Sequence, residues 1–241
     1  MAAAPALSCR LALAAALLAA AWPLRAADPC AELPKPSVTL QRIDEPVKQD
    51  DRYPYRTLTS LAGERTRPNQ TVLGLTRGKV VARIALRAPR LVDASGRWEC
   101  LSPQLQVSFG YAPLTVHVAR EFPPGSCAYQ EILAHEQKHV DAYRQHAQAI
   151  EQELAATFAA RFTADPQPWR GAAGQLGERL QKELDERWLP FIQRRLAAVE
   201  VAQAAVDAPE EYERVSLACD GEIRKRLQAP APQGGAKPGR P

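Results

Sequence analysis

Residues 127–162 read CAYQEILAHEQKHVDAYRQHAQAIEQELAATFAARF. Within this run Ile132, His135, His139, Tyr143, Ala147, Ile150, Leu154 and Phe158 follow one another at steps of three or four, the spacing of one helix face. Ser126, just before the run, suits an N-cap, and Ala164-Asp165-Pro166-Gln167-Pro168 stops the pattern. A single long helix is therefore predicted from about Cys127 to Phe162.

Upstream of this helix the period is two. Val80, Ala82, Ile84 and Leu86 alternate with Lys79, Val81, Arg83, Ala85 and Arg87, as in a half-buried strand. Leu105, Val107 and Phe109 repeat that pattern, as do Leu114, Val116 and Val118, and Gly110-Tyr111-Ala112-Pro113 between them predicts an antiparallel hairpin. Val38 and Leu40 alternate like a strand, and Leu58 with Leu61 fits one or two helical turns. Downstream, Leu176, Leu180, Leu184, Ile192, Leu196 and Val199 mark a second helical region from about Gly174 to Val206, kinked or split at Pro190. Asp207-Ala208-Pro209-Glu210 has the spacing of a capping box opening a last helix towards Leu227. The expected class is α+β: a small antiparallel sheet of three or four strands, then long helices. One domain is expected over 27–228, strand-rich over 27–125 and helical over 126–228, with a disordered Pro/Gly-rich tail at 229–241.

Arg10, the apolar run Leu11 to Trp22 and the small residues around Ala26 and Ala27 describe a cleaved signal peptide over 1–26, so an exported protein, periplasmic or secreted, is expected. The run is too short to cross a bilayer, and no other segment reaches that length; no membrane association is expected once the signal is removed. Lys and Arg number 31 against 27 Asp and Glu, and losing Arg10 and Arg25 leaves 29 against 27, which is no footprint for nucleic acid. Glycine-rich phosphate loops are absent. Export leaves Cys30, Cys100, Cys127 and Cys219, an even number without any C-x-x-C pair, and two disulfides are expected. Four cysteines allow three connectivities. If the long helices form a hairpin, the chain returns near residue 127 at about residue 209, and the last helix brings Cys219 close. That favours Cys127–Cys219 and leaves Cys30–Cys100.

The long helix also contains His135-Glu136-Gln137-Lys138-His139, the pattern H-E-x-x-H. Four residues rise about 6 Å and turn about 40°, so both imidazoles leave one face and can reach one metal ion. Zinc suits neutral imidazole, and Glu136, about 100° round the helix, can take a proton from bound water without ligating. The chain holds only 4 His, and random placement would give this pattern about 0.005 times per chain.

H-E-x-x-H on a helix following a small sheet resembles the zincin metallopeptidases. The longer run His135 to Asp141 is similar to the H-E-Q-x-H-x-D pattern of a bacterial family of predicted secreted zinc-dependent proteases. The resemblance implies Zn2+ as cofactor, His135 and His139 as ligands, Glu136 as catalytic base and a peptide or protein as substrate. Asp141, turned away from His139, gains no ligand role. A third ligand is not fixed. His146 is one position late for the pattern with a third histidine, Glu200 falls opposite residue 137 in a helical hairpin, Glu183 and Glu186 stand nearby, Asp207 reads more readily as a cap, and His117 reads as a surface histidine. Two functions compete: an exported zinc-dependent metallopeptidase, and a non-catalytic zinc-binding or protein-interaction module built on a degenerate zincin frame. The sequence leaves the oligomeric state open.

Overall fold

A computed structural model describes residues 28–63 and 71–228. The signal peptide expected over 1–26 and the tail expected over 229–241 lie outside the described residues.

The α+β expectation holds, with long helices and a small sheet. At the centre of the main sheet is β6 (Gln104–Val118), which pairs antiparallel with β3 (Gly74–Arg87) on one side. On its other side it pairs parallel with β1 (Ser37–Ile43) and with the short β2 (Lys48–Gln49). A second, wholly antiparallel sheet orders β4 (Arg90–Val92), β5 (Trp98–Leu101) and β7 (Trp169–Ala172). β7 is the one described strand in the helical half, and sequence periodicity missed it because it spans only four residues.

The hairpin predicted at Gly110-Tyr111-Ala112-Pro113 is not formed. β6 runs straight through these residues as one strand of 15. Opposite them the β3 register slips between Gly78 and Val80, so Ala112 and Pro113 together face the space of Lys79. The glycine and proline signal marks a bulge, where a residue without an N–H costs the ladder nothing. Val80, the first residue after the slip, is 39% exposed, while Ala82, Ile84 and Leu86 further along the same face pack on the core.

Helix α1 (Tyr55–Ala62) precedes β3 and buries Leu58. Helix α2 (Cys127–Phe158) continues as a π-helical turn over Ala159–Thr163, and Ser126 caps it by accepting the Tyr129 N–H at 3.1 Å. All eight predicted stripe residues of α2 are buried. The chain returns through α3 (Leu176–Glu183), a π-helical turn (Leu184–Trp188), α4 (Leu189–Ala197) with Pro190 in its first turn, and α5 (Val199–Val206). Helix α6 (Pro209–Gln228) closes the described chain and is broken at Ala218 to Gly221, where Cys219 (φ 58°), Asp220 (φ 53°) and Gly221 (φ 73°) are left-handed.

Two apolar clusters meet along α2. The larger joins β1, β3 and β6 to α2 and α4, with Val140, Tyr143, Leu154 and Phe158 inside it. The smaller gathers Leu58, Phe122, Ala128, Tyr129, Ile132 and Ile223. Each fully buried large apolar side chain contributes roughly 1.5–3 kcal/mol, so α2 is clamped at both ends. His135 and His139 lie between the clusters. Both expected disulfides are present: Cys30–Cys100 ties the first described turn to β5, and Cys127–Cys219 ties the start of α2 to the break in α6, with Cα atoms 5.7 and 5.8 Å apart.

Replacing Cys30 and Cys100 together by Ser should lower unfolding free energy by about 2–5 kcal/mol in urea titrations. The long loop this bond closes, spanning a sequence separation of 70, is lost from the constraints on the unfolded chain.

Candidate metal centre

One turn of α2 places His135 and His139 on the same face, with their Nε2 atoms 3.3 Å apart. Each ring is fixed through its other nitrogen. His139 Nδ1 donates to Gln203 Oε1 at 2.6 Å, and Gln203 Nε2 returns a bond to the His139 carbonyl at 3.2 Å. His135 Nδ1 faces Glu211 Oε1 at 3.4 Å. Both Nδ1 atoms thereby face an acceptor, and both Nε2 atoms are left facing one point.

Asp207 aims its carboxylate at that same point. Its Oδ1 lies 3.4 Å from His135 Nε2 and 3.3 Å from His139 Nε2. Three electron-rich atoms thus form a near-equilateral triangle. Donors around a tetrahedral ion at about 2.0–2.1 Å stand about 3.3–3.4 Å from one another, so the triangle has the size of one tetrahedral face. His135, Glu136 and His139 are all buried, with ligand atoms within 4.8 Å of one another, and this group can hold a metal ion.

Glu136 is held to one side. The Thr76 hydroxyl donates to its Oε2 at 2.7 Å. Gly74 leaves room for the rest of the carboxylate: a Cβ there would fall on Glu136 Oε1 and 2.6 Å from its Cγ. Burial pushes the Glu136 carboxyl above its ordinary range, against the pull of His139 and His135. For Asp207 burial acts upward as well, but hydrogen bonds from His135, His139 and Tyr212 outweigh it and hold the carboxyl well below its usual range. The Tyr212 hydroxyl donates to Asp207 Oδ1 at 2.8 Å. Glu211 is held down at about 2 by the Arg214 guanidinium, against burial, with help from Lys138 and His135. For His139 burial favours the neutral ring, yet Asp207 and Glu136 raise its pKa overall.

The structure therefore brings Asp207, read as a cap, to the histidines, and its carboxylate turns to them rather than to the start of α6. The other residues weighed as third ligand are engaged elsewhere. Glu200 is exposed on the cleft wall, three residues before the Gln203 that faces His139. Glu183 pairs with Arg161 and accepts from Trp188 Nε1, and Glu186 sits 4.0 Å from Lys182. His146 bonds the Arg195 carbonyl through Nε2. His117 is buried, against the surface reading, with Nδ1 on the Asp50 carbonyl and its ring edge to Tyr53. Asp141 accepts from Gln137 on the exposed face of α2. Sequence reasoning missed Gly74, Thr76, Gln203, Glu211 and Tyr212. The i,i+4 series Gln203, Asp207, Glu211 along the returning chain was the one available signal.

Compared with family models, with curated proteins and with solved structures, the chain matches none.

Gln203→Leu should weaken metal binding about 10–100-fold in chelator competition, because His139 loses the partner that fixes its tautomer. Gln203→Glu, which keeps an acceptor, should retain most of it.

Proposed function

We propose that the chain is an exported zinc-dependent metallopeptidase of zincin type, with Zn2+ held by His135, His139 and Asp207 and with Glu136 as general base. The observation that carries this reading is the triangle of His135 Nε2, His139 Nε2 and Asp207 Oδ1 with edges of 3.3–3.4 Å, each imidazole fixed through its Nδ1. Two imidazoles and one carboxylate are a donor set that suits zinc, and three protein ligands are the number a catalytic site uses; a structural site is closed by four. The H-E-Q-x-H-x-D run at 135–141 supports kinship with the bacterial secreted protease family it resembles.

Zinc bound there would polarise a peptide carbonyl and make a water molecule acidic near neutral pH. The remaining work falls to the chain's own residues. Glu136, buried and with its carboxyl raised above the ordinary range, would accept a proton from that water and pass it to the leaving amine. Thr76 and the space left by Gly74 hold that carboxylate beside the ligands without making it one. Glu211 and Gln203 hold the two rings through Nδ1 and aim Nε2 at the site. A cleft of about 930 Å³ opens over the site, room for a segment of polypeptide. Export is supported by the leader-like run at 11–22 and by the two disulfides. Among the described residues no helix is long and apolar enough to cross a membrane.

Glu136→Gln should keep fold and zinc stoichiometry while hydrolysis of a casein substrate falls at least 10²-fold. His135→Ala, His139→Ala and Asp207→Ala should lose zinc by elemental analysis. Gly74→Ala should keep zinc and lose activity, because the new methyl displaces the Glu136 carboxylate. Full activity in Glu136→Gln with zinc bound would refute the mechanism, and wild-type protein that binds zinc but cuts nothing would make this a binding module.

A further inference from the structure

The cleft over the metal centre continues well past it, and its volume of about 930 Å³ is far more than a peptide bond and a water require. The extension is apolar. Val72 and Leu75 line it from β3 and its approach, Ile132 from α2, and Val215, Ile223 and Leu227 from α6. Ile132 and Ile223 are buried, whereas Val72, Leu75, Val215 and Leu227 are half-buried and pack on the smaller core cluster. Ile132 precedes His135 by three residues and Glu136 by four, so the apolar wall begins about 5.4 Å, one helical turn, from the reacting groups. That is about one and a half residues of an extended peptide.

We infer that this arm of the cleft is a specificity pocket that selects peptides with a large aliphatic or aromatic side chain beside the bond to be cut; the inference rests on the peptidase reading above. The break in α6 lets one helix line the pocket twice, through Val215 before it and through Ile223 and Leu227 after it. Left-handed Cys219, Asp220 and Gly221 make the turn, and the bond to Cys127 pins it to α2. At the rim stand exposed Glu213 and Arg224, charges of both signs that suit the polar backbone and termini of a peptide. A fatty acyl chain would use the apolar floor and leave that rim and the amide-cleaving groups without a role.

The test titrates zinc-loaded Glu136→Gln protein with fluorescent peptides that differ at one position, Leu or Phe against Ser or Asp, and with a fluorescent fatty acid. The Leu and Phe peptides should bind at least tenfold tighter than the others. Val215→Asp should abolish that preference, and Leu227→Trp, which fills the pocket while keeping it apolar, should turn it towards small side chains. Zinc affinity by chelator competition should stay unchanged in both variants. Equal binding of all peptides, a preference that survives both substitutions, or binding of the fatty acid alone would overturn the pocket without touching the peptidase. A clear Leu and Phe preference in binding, with no cleavage by wild-type protein, would uphold the pocket and defeat the peptidase reading instead.

Discussion

Three electron-rich atoms within 3.4 Å of one another repel unless positive charge sits among them. At the centre of this molecule two imidazole Nε2 atoms on one helix and a carboxylate oxygen at a helix junction are brought to that separation. Buried polar groups left in this state are costly, and a fold that gathers them must supply the stabilisation elsewhere. Here the supply is visible on both sides of the site. Apolar clusters grip α2 up to Ile132 and from Val140 onward, and Gln203, Glu211, Tyr212 and Thr76 each bond one member of the polar group. A divalent cation is the natural complement of such an arrangement. Bound there, it would convert the repulsion into attraction.

The sheets serve this centre indirectly. Central β6 carries no ligand, but it sets β3 across α2, and β3 delivers Gly74 and Thr76 to Glu136. The returning helices matter through their register. Gln203 meets His139, and Asp207 meets both histidines from the junction between α5 and α6. The polar centre is thus a property of one strand, one long helix and one helix junction, with the second sheet and the Cys30–Cys100 bond steadying the far end.

What the sequence made legible follows the range of the interaction. The i,i+4 histidines, the buried stripe of α2 and the Ser126 cap depend on neighbours within a turn, and all appear where the residues predict them. The disulfide pairing followed from one coarse topological fact, the helical hairpin. Asp207 was within reach of the same reasoning but was masked by local chemistry, since aspartate two residues before a helical proline looks like a cap. Placing it needed the hairpin register to within a turn. That register was shifted by features periodicity does not reveal: the π-helical turns at 159–163 and 184–188 and the strand β7. Likewise Gly110 and Pro113 announced an interruption of strand geometry, but only the partner strand decides between a reversal and a bulge.

The two disulfides sit in unlike surroundings. Cys30 and Cys100 are 2% and 0% exposed, whereas Cys127 is exposed and Cys219 half-buried. Thiol–disulfide exchange requires an attacking thiolate to reach a sulfur in line with the bond. A small dithiol reaches Cys127 in the folded protein, and reaches the other pair only after the fold opens. The first cross-link to yield would be the one beside the cleft rather than the one beneath the sheets, and the two bonds would report separately on the redox state of the surroundings and on the integrity of the core.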